Sequence, residues 1–83
     1  MDRKTRLVSM LESSIPFLTG QLEDTVSLVR SGVVDSLGLM IIATFVEQES
    51  GRSVEDIDVD PVRDWDTVAD ILRFIHTLEG PGE

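Results

Sequence analysis

Ser36, in the run Gly32-Val33-Val34-Asp35-Ser36-Leu37-Gly38, is the side chain best placed for covalent chemistry. A serine hydroxyl becomes a nucleophile when a base takes its proton, so a hydrolase needs a histidine within reach. The chain has a single histidine, His76, late in its last apolar-periodic segment. The nucleophile motif G-x-S-x-G also fails, because Val34 stands where its first glycine belongs. With no cysteine and no tyrosine, the chain offers neither a thiolate nor a phenol. No catalytic residue is expected, and the chain is not expected to be an enzyme. Read from residue types alone, Asp35-Ser36 is a helix start, since both side chains can accept from the free N–H groups of a first turn.

Metal chemistry finds no better footing. Asp56-x-Asp58-x-Asp60 opens like a calcium loop. Pro61 then occupies the sixth position, where the turn needs glycine, and Thr67 the twelfth, where a bidentate glutamate belongs. A solvated acidic loop without a metal site is expected. A histidine with no cysteine or histidine companion reads as a surface or packing residue. Trp65 reads as a core or rim anchor.

Charge narrows the partners. Sixteen acids against seven bases give the 83 residues a net charge of −9. Arg3, Lys4 and Arg6 crowd the first six positions, whereas between Glu47 and Asp70 nine acids face only Arg52 and Arg63. Such a surface repels phosphate backbones, so no nucleic-acid partner is expected. It attracts basic protein patches instead. No apolar run approaches the roughly 20 residues of a membrane span, and none of signal-peptide length follows the basic N-terminus. A cytoplasmic monomer with no membrane span is the expectation.

Helices must do the positioning. Leu7, Leu11 and Ile15 recur at four-residue steps behind Asp2, and Pro16 predicts a helix end near Ile15. From Phe17 to about Asp35 no period is sustained; scattered Leu18, Leu22, Val26, Leu28 and Val29 predict a loop packed down over the helices. A second helix is predicted from Asp35-Ser36 to about Ser50, stopped by Gly51. Leu39, Ile42, Ala43 and Val46 lie on one of its faces, and Leu37, Met40 and Ile41 on another, beside Thr44. A helix apolar nearly all round is ordinarily buried, though in so small a domain one side can be open for a partner. After the acidic loop a short turn is predicted at Pro61–Trp65. A last helix follows from Asp66 or Thr67, with Thr67 and Asp70 spaced as a capping box and Val68, Ile71, Leu72 and Ile75 as its stripe. The predicted fold class is all-α: a small antiparallel bundle of three main helices plus one short helix, with a long loop between the first and second. Residues 1–79 form one domain, and residues 80–83 a flexible C-terminal tail.

The Asp35-Ser36-Leu37 tripeptide, behind a long loop and ahead of an apolar helix in an acidic chain of this length, resembles the acyl carrier protein family. The likeness runs over nearly the whole chain. It implies that Ser36 receives a 4′-phosphopantetheine arm from coenzyme A, attached by a dedicated magnesium-using phosphopantetheinyl transferase, and that Asp35 contacts that enzyme. The arm would hold an acyl or aminoacyl group as a thioester. An acyl- or aminoacyl-loading ligase or adenylating enzyme would charge it, and downstream transferases or synthases would receive the cargo. Many fatty-acid carriers have an aspartate after Asp-Ser-Leu; here Gly38-Leu39-Met40 follows. That pattern is more similar to stand-alone carriers of aminoacyl or small acyl units, of the D-alanyl, polyketide or nonribosomal-peptide kind. The short ends favour a free-standing carrier. Leu37, Met40 and Ile41 are expected to form an apolar patch that partners read, with Glu47 and Glu49 leading the acids that steer them. A fatty-acid-synthesis carrier, or a small acidic interaction module without a prosthetic group, is the alternative reading.

Overall fold

Asp2 starts the first helix, α1 (Arg3–Ser14), its carboxylate accepting the Thr5 N–H at 2.8 Å. The computed structural model describes residues 2–80. Pro16 ends α1: Ile15 leaves the helical region at φ −131°, ψ 82°, as the bulk of a following proline ring favours. The chain then makes a 3₁₀ turn at Pro16–Leu18, where the sequence predicted a direct passage into loop. A proline at the first position of that turn has no N–H to leave unpaired.

The long connection that follows is packed down, as its apolar residues required. Leu18 and Leu28 are buried, and Leu22, Val26 and Val29 are half-buried against the core. Its backbone is pinned to the start of the last helix. The Leu28 N–H donates to the Asp66 carbonyl at 2.6 Å, the Ala69 N–H to the Asp24 carbonyl at 3.2 Å, and the Val34 N–H back to the Leu28 carbonyl at 2.9 Å. The Asp66 carboxylate takes three further donors, the Ser27 hydroxyl at 2.9 Å and the N–H groups of Val29 and Arg30 at 3.0 and 2.8 Å. Asp66, grouped by sequence with the surface acids, is therefore a buried residue with its own hydrogen-bond set. It can be buried because those donors replace water.

The second helix, α2 (Ser36–Ser50), opens on Asp35 and closes on Gly51. Gly51 takes φ 75° and returns its N–H to the Glu47 carbonyl at 2.9 Å, a left-handed turn that only a residue without Cβ adopts cheaply. Ile42, Phe45 and Val46 are buried, and Leu39 and Ala43 are half-buried. Beyond α2 the acidic segment contains a 3₁₀ turn at Val54–Asp56, which sequence periodicity did not reveal. Its apolar residues, Val54, Ile57 and Val59, are each half-buried. The predicted short turn is α3 (Pro61–Asp64), capped by the Asp60 carboxylate on the Val62 N–H.

The last helix, α4 (Val68–Glu79), is capped by the Thr67 hydroxyl, which accepts the Asp70 N–H at 3.0 Å. The Asp70 carboxylate turns to Arg73, so only one half of the expected capping box is seen. Val68, Ile71 and Ile75 are fully buried, Leu72 is half-buried, and His76 is exposed. Trp65 is buried, with its ring edge-on to Phe74 at 5.7 Å. Of the predicted flexible tail at 80–83, all but Gly80 lies outside the described residues.

The fold is all-α, and no strand occurs among the described residues. Leu7 and Leu11 of α1, Ile42 and Val46 of α2, and Val68, Ile71 and Ile75 of α4 meet in one core with Leu28 and Val34 of the loop. Each such side chain contributes roughly 1.5–3 kcal/mol by leaving water. Helices α1 and α2 run in opposite directions. Arg3, at the start of α1, donates to Glu49 near the end of α2 at 2.9 Å, and Ile15 shares a cleft with Leu37 and Gly38 at the start of α2. The Arg3 guanidinium also grips Glu79 at the end of α4 with two bonds, of 3.0 and 2.6 Å, and Arg6 adds a bond to Glu49. One planar fork thereby ties three helix ends together.

Candidate functional site

The N-terminus of α2 carries the site. Asp35 has extended geometry (φ −91°, ψ −169°), and its Oδ1 accepts the Gly38 N–H at 3.0 Å. The Asp35 carbonyl accepts the Leu39 N–H at 2.9 Å, the first bond of the helix ladder. Asp35 is thus the cap, and Ser36 is the first helical residue, exposed and free of the capping role. The N–H groups of Ser36 and Leu37 precede that ladder and have no intrahelical acceptor. An anion on the Ser36 oxygen would sit at the positive end of α2, where such groups and the helix dipole favour it.

Exposed apolar residues stand beside Ser36 on α2. Leu37 is 65% exposed and Met40 is 66% exposed, whereas Ile41 is half-buried. These three residues, singled out by sequence as one patch, do share a cleft of about 280 Å³, together with Met10, Thr44, Phe45 and Gln48. A second cleft, of about 260 Å³, lies on the other side of Leu37 and Ile41, walled by Ile15, Pro16, Phe17, Val33 and Asp35. Phe17 is 68% exposed and was not among the residues expected at the site. Met10, half-buried against the core, also lines the first cleft, and nothing in the sequence set it apart from its neighbours on α1.

The two acids expected to lead the docking surface are both engaged within the fold. The Glu47 carboxylate accepts the Val54 N–H at 2.7 Å and steadies the 3₁₀ turn. Glu49 is held by Arg3 and Arg6, and its side chain is only 17% exposed. Burial pushes the Glu49 carboxyl up, but the bonds from the two guanidinium groups outweigh that, and it lies below the ordinary glutamate value. The acids of this stretch that remain at the surface are Glu55, Asp56, Asp58 and Asp60.

Among the described residues, no group of three or more His, Cys, Asp or Glu side chains is placed to hold a metal ion. None of the helices described is long and apolar enough to cross a membrane. No protein-family model matches the chain, and no curated protein or solved structure matches it.

Proposed function

We propose that the protein is a carrier that holds an acyl or aminoacyl group as a thioester on a 4′-phosphopantetheine arm attached to Ser36. The observation that carries this reading is the position of Ser36: exposed, first in α2, beside a cap that leaves its hydroxyl unengaged, and flanked by exposed Leu37 and Met40. The residues fit the group. A phosphodiester would meet the free N–H groups of the helix start, and the arm would bring the thiol that a chain without cysteine lacks.

Attachment is a substitution at phosphorus. The Ser36 Oγ bonds to the β-phosphorus of coenzyme A, the bond from that phosphorus to the bridging oxygen breaks, and 3′,5′-ADP leaves with the electron pair. The serine proton passes to a base of the transferase. This chain contributes the nucleophile and its setting; magnesium and the base belong to the enzyme that docks. Once attached, the arm raises the effective concentration of its cargo at each docked partner.

The same reading assigns Leu37, Met40 and Ile41 to the seated contact. It assigns the surface acids from Glu55 onward to steering a basic phosphopantetheinyl transferase, loading ligase or downstream synthase. The cargo is small or polar, as in aminoacyl, polyketide and nonribosomal-peptide carriers. Ile42, Phe45 and Val46 fill the centre of the bundle, and emptying such positions for a long chain would cost several kcal/mol. The work of such a carrier is cytoplasmic. Incubation with coenzyme A, magnesium and a broad-specificity phosphopantetheinyl transferase, followed by intact mass measurement, tests the reading: one added arm supports it, and an unchanged mass refutes it. Identification of the acyl group on protein from its native cell then tests the cargo, and a long-chain acyl group would overturn that part.

A further inference from the structure

We propose that Gly38 is a positioning residue for Ser36, acting through a notch that receives Val34; the proposal rests on the carrier reading. Gly38 is buried in the first turn of α2. It is not among the glycines with positive φ, so its backbone makes no demand that alanine could not meet. Glycine is also the poorest helix former after proline. What the position uses is the missing side chain. A Cβ at residue 38 would stand 2.7 Å from Val34 Cγ1, 3.5 Å from Val34 Cβ and 3.6 Å from Asp35 Oδ1.

Val34 cannot step aside freely. It is 4% exposed, and its stiff branched side chain has a single torsion. Its N–H is tied to the Leu28 carbonyl at 2.9 Å, and the Leu28 N–H to the Asp66 carbonyl at 2.6 Å. On the other side the Gly38 N–H holds the Asp35 carboxylate at 3.0 Å. Residues 34 and 38 therefore close a short ring of contacts, with Asp35 and Ser36 inside it. Through this ring the entry of the loop into α2 is keyed to the core, and the Ser36 hydroxyl is presented in one direction. A side chain at residue 38 would push Val34 out of the notch and turn the Asp35-Ser36 corner relative to the docked transferase.

The test compares wild type, Gly38→Ala, Val34→Ala and the Val34→Ala/Gly38→Ala double variant. Each is measured for arm transfer (kcat/KM with a phosphopantetheinyl transferase), helical circular dichroism, and hydrogen exchange of the residue-38 amide in the unloaded protein. Gly38→Ala is expected to keep its helix content and lose about ten- to hundredfold in kcat/KM, as a misplaced reacting group does. The double variant, with the notch contact relieved, is expected to load within about twofold of Val34→Ala; that rescue is what a merely stabilising role of Gly38 would not produce. Gly38→Ala loading at the wild-type rate, or a double variant that loads about tenfold or more below Val34→Ala, overturns the proposal. Should Gly38→Ala fail to fold, a folded double variant that loads like Val34→Ala upholds it, and an unfolded one overturns it. Failure of the wild type itself to accept the arm sinks the carrier reading instead. The amide then decides the notch: faster exchange in Gly38→Ala, reversed in the double variant, upholds it, and unchanged exchange overturns it.

Discussion

The Asp66 carboxylate accepts the backbone N–H of Arg30 at 2.8 Å, across 36 residues of sequence. With its bonds to Ser27 and Val29 it fixes the long loop to the junction of α3 and α4. Burial pushes the Asp66 carboxyl up. The donors from Arg30, Ser27 and Val29 outweigh burial and hold it below the ordinary aspartate value.

Asp66→Ala should therefore destabilise the fold by about 1–3 kcal/mol, because it removes three charge-assisted hydrogen bonds and strands part-buried donors. Urea unfolding checks this, and a change under about 0.5 kcal/mol would contradict it. The pH dependence has a definite sign. A carboxyl with a depressed folded value stabilises above its unfolded value of roughly 3.9, and the contribution is lost as pH falls through the folded value. The stability gap between wild type and Asp66→Asn should be widest near neutrality and shrink below about pH 4.

Asp35 has two separable roles. Asp35→Ala removes the cap on Gly38 and should cost about 1 kcal/mol of stability, whereas Asp35→Asn keeps a capping oxygen and should stay within a few tenths. If the charge also engages the transferase, as the carrier reading requires, arm transfer should fall in both variants. Thermal midpoints set beside loading rates distinguish the roles; Asp35→Asn loading at the wild-type rate would reduce Asp35 to a cap.

Met40 and Ile42 stand two residues apart on α2 and should behave oppositely. Met40 is 66% exposed and Ile42 is fully buried. Met40→Ala should change unfolding free energy by less than about 0.5 kcal/mol, and weaken partner binding by about 1–2 kcal/mol. Ile42→Ala should cost about 2–5 kcal/mol of stability. Denaturant titration together with binding to a transferase reads both; a Met40→Ala variant that loses stability like Ile42→Ala would show that the patch is core.

The parts legible in sequence were those set by near neighbours. Asp2, Asp35, Asp60, Thr67 and Gly51 mark helix boundaries through bonds within four residues of themselves, so the number, order and ends of the helices could be read. Asp66 and Glu49 could not, because their partners lie about 36–46 residues away and nothing in an acid's immediate surroundings announces a distant donor. The outward turn of Met40 was open for a different reason: a helix apolar nearly all round has no period with which to choose its buried face. Phe17 escaped because its exposure is set by the 3₁₀ turn at Pro16–Leu18, which local periodicity does not show.

Attachment at Ser36 is read from the intact mass of wild type and Ser36→Ala, side by side, after treatment with coenzyme A, magnesium and a phosphopantetheinyl transferase. Because Asp35 rather than Ser36 caps α2, Ser36→Ala should unfold within about 0.5 kcal/mol of wild type. Any loss of loading then reports chemistry and not folding. One arm is expected on the wild type and none on Ser36→Ala. A wild type that gains no arm, or a Ser36→Ala variant that still gains one, would contradict attachment at Ser36.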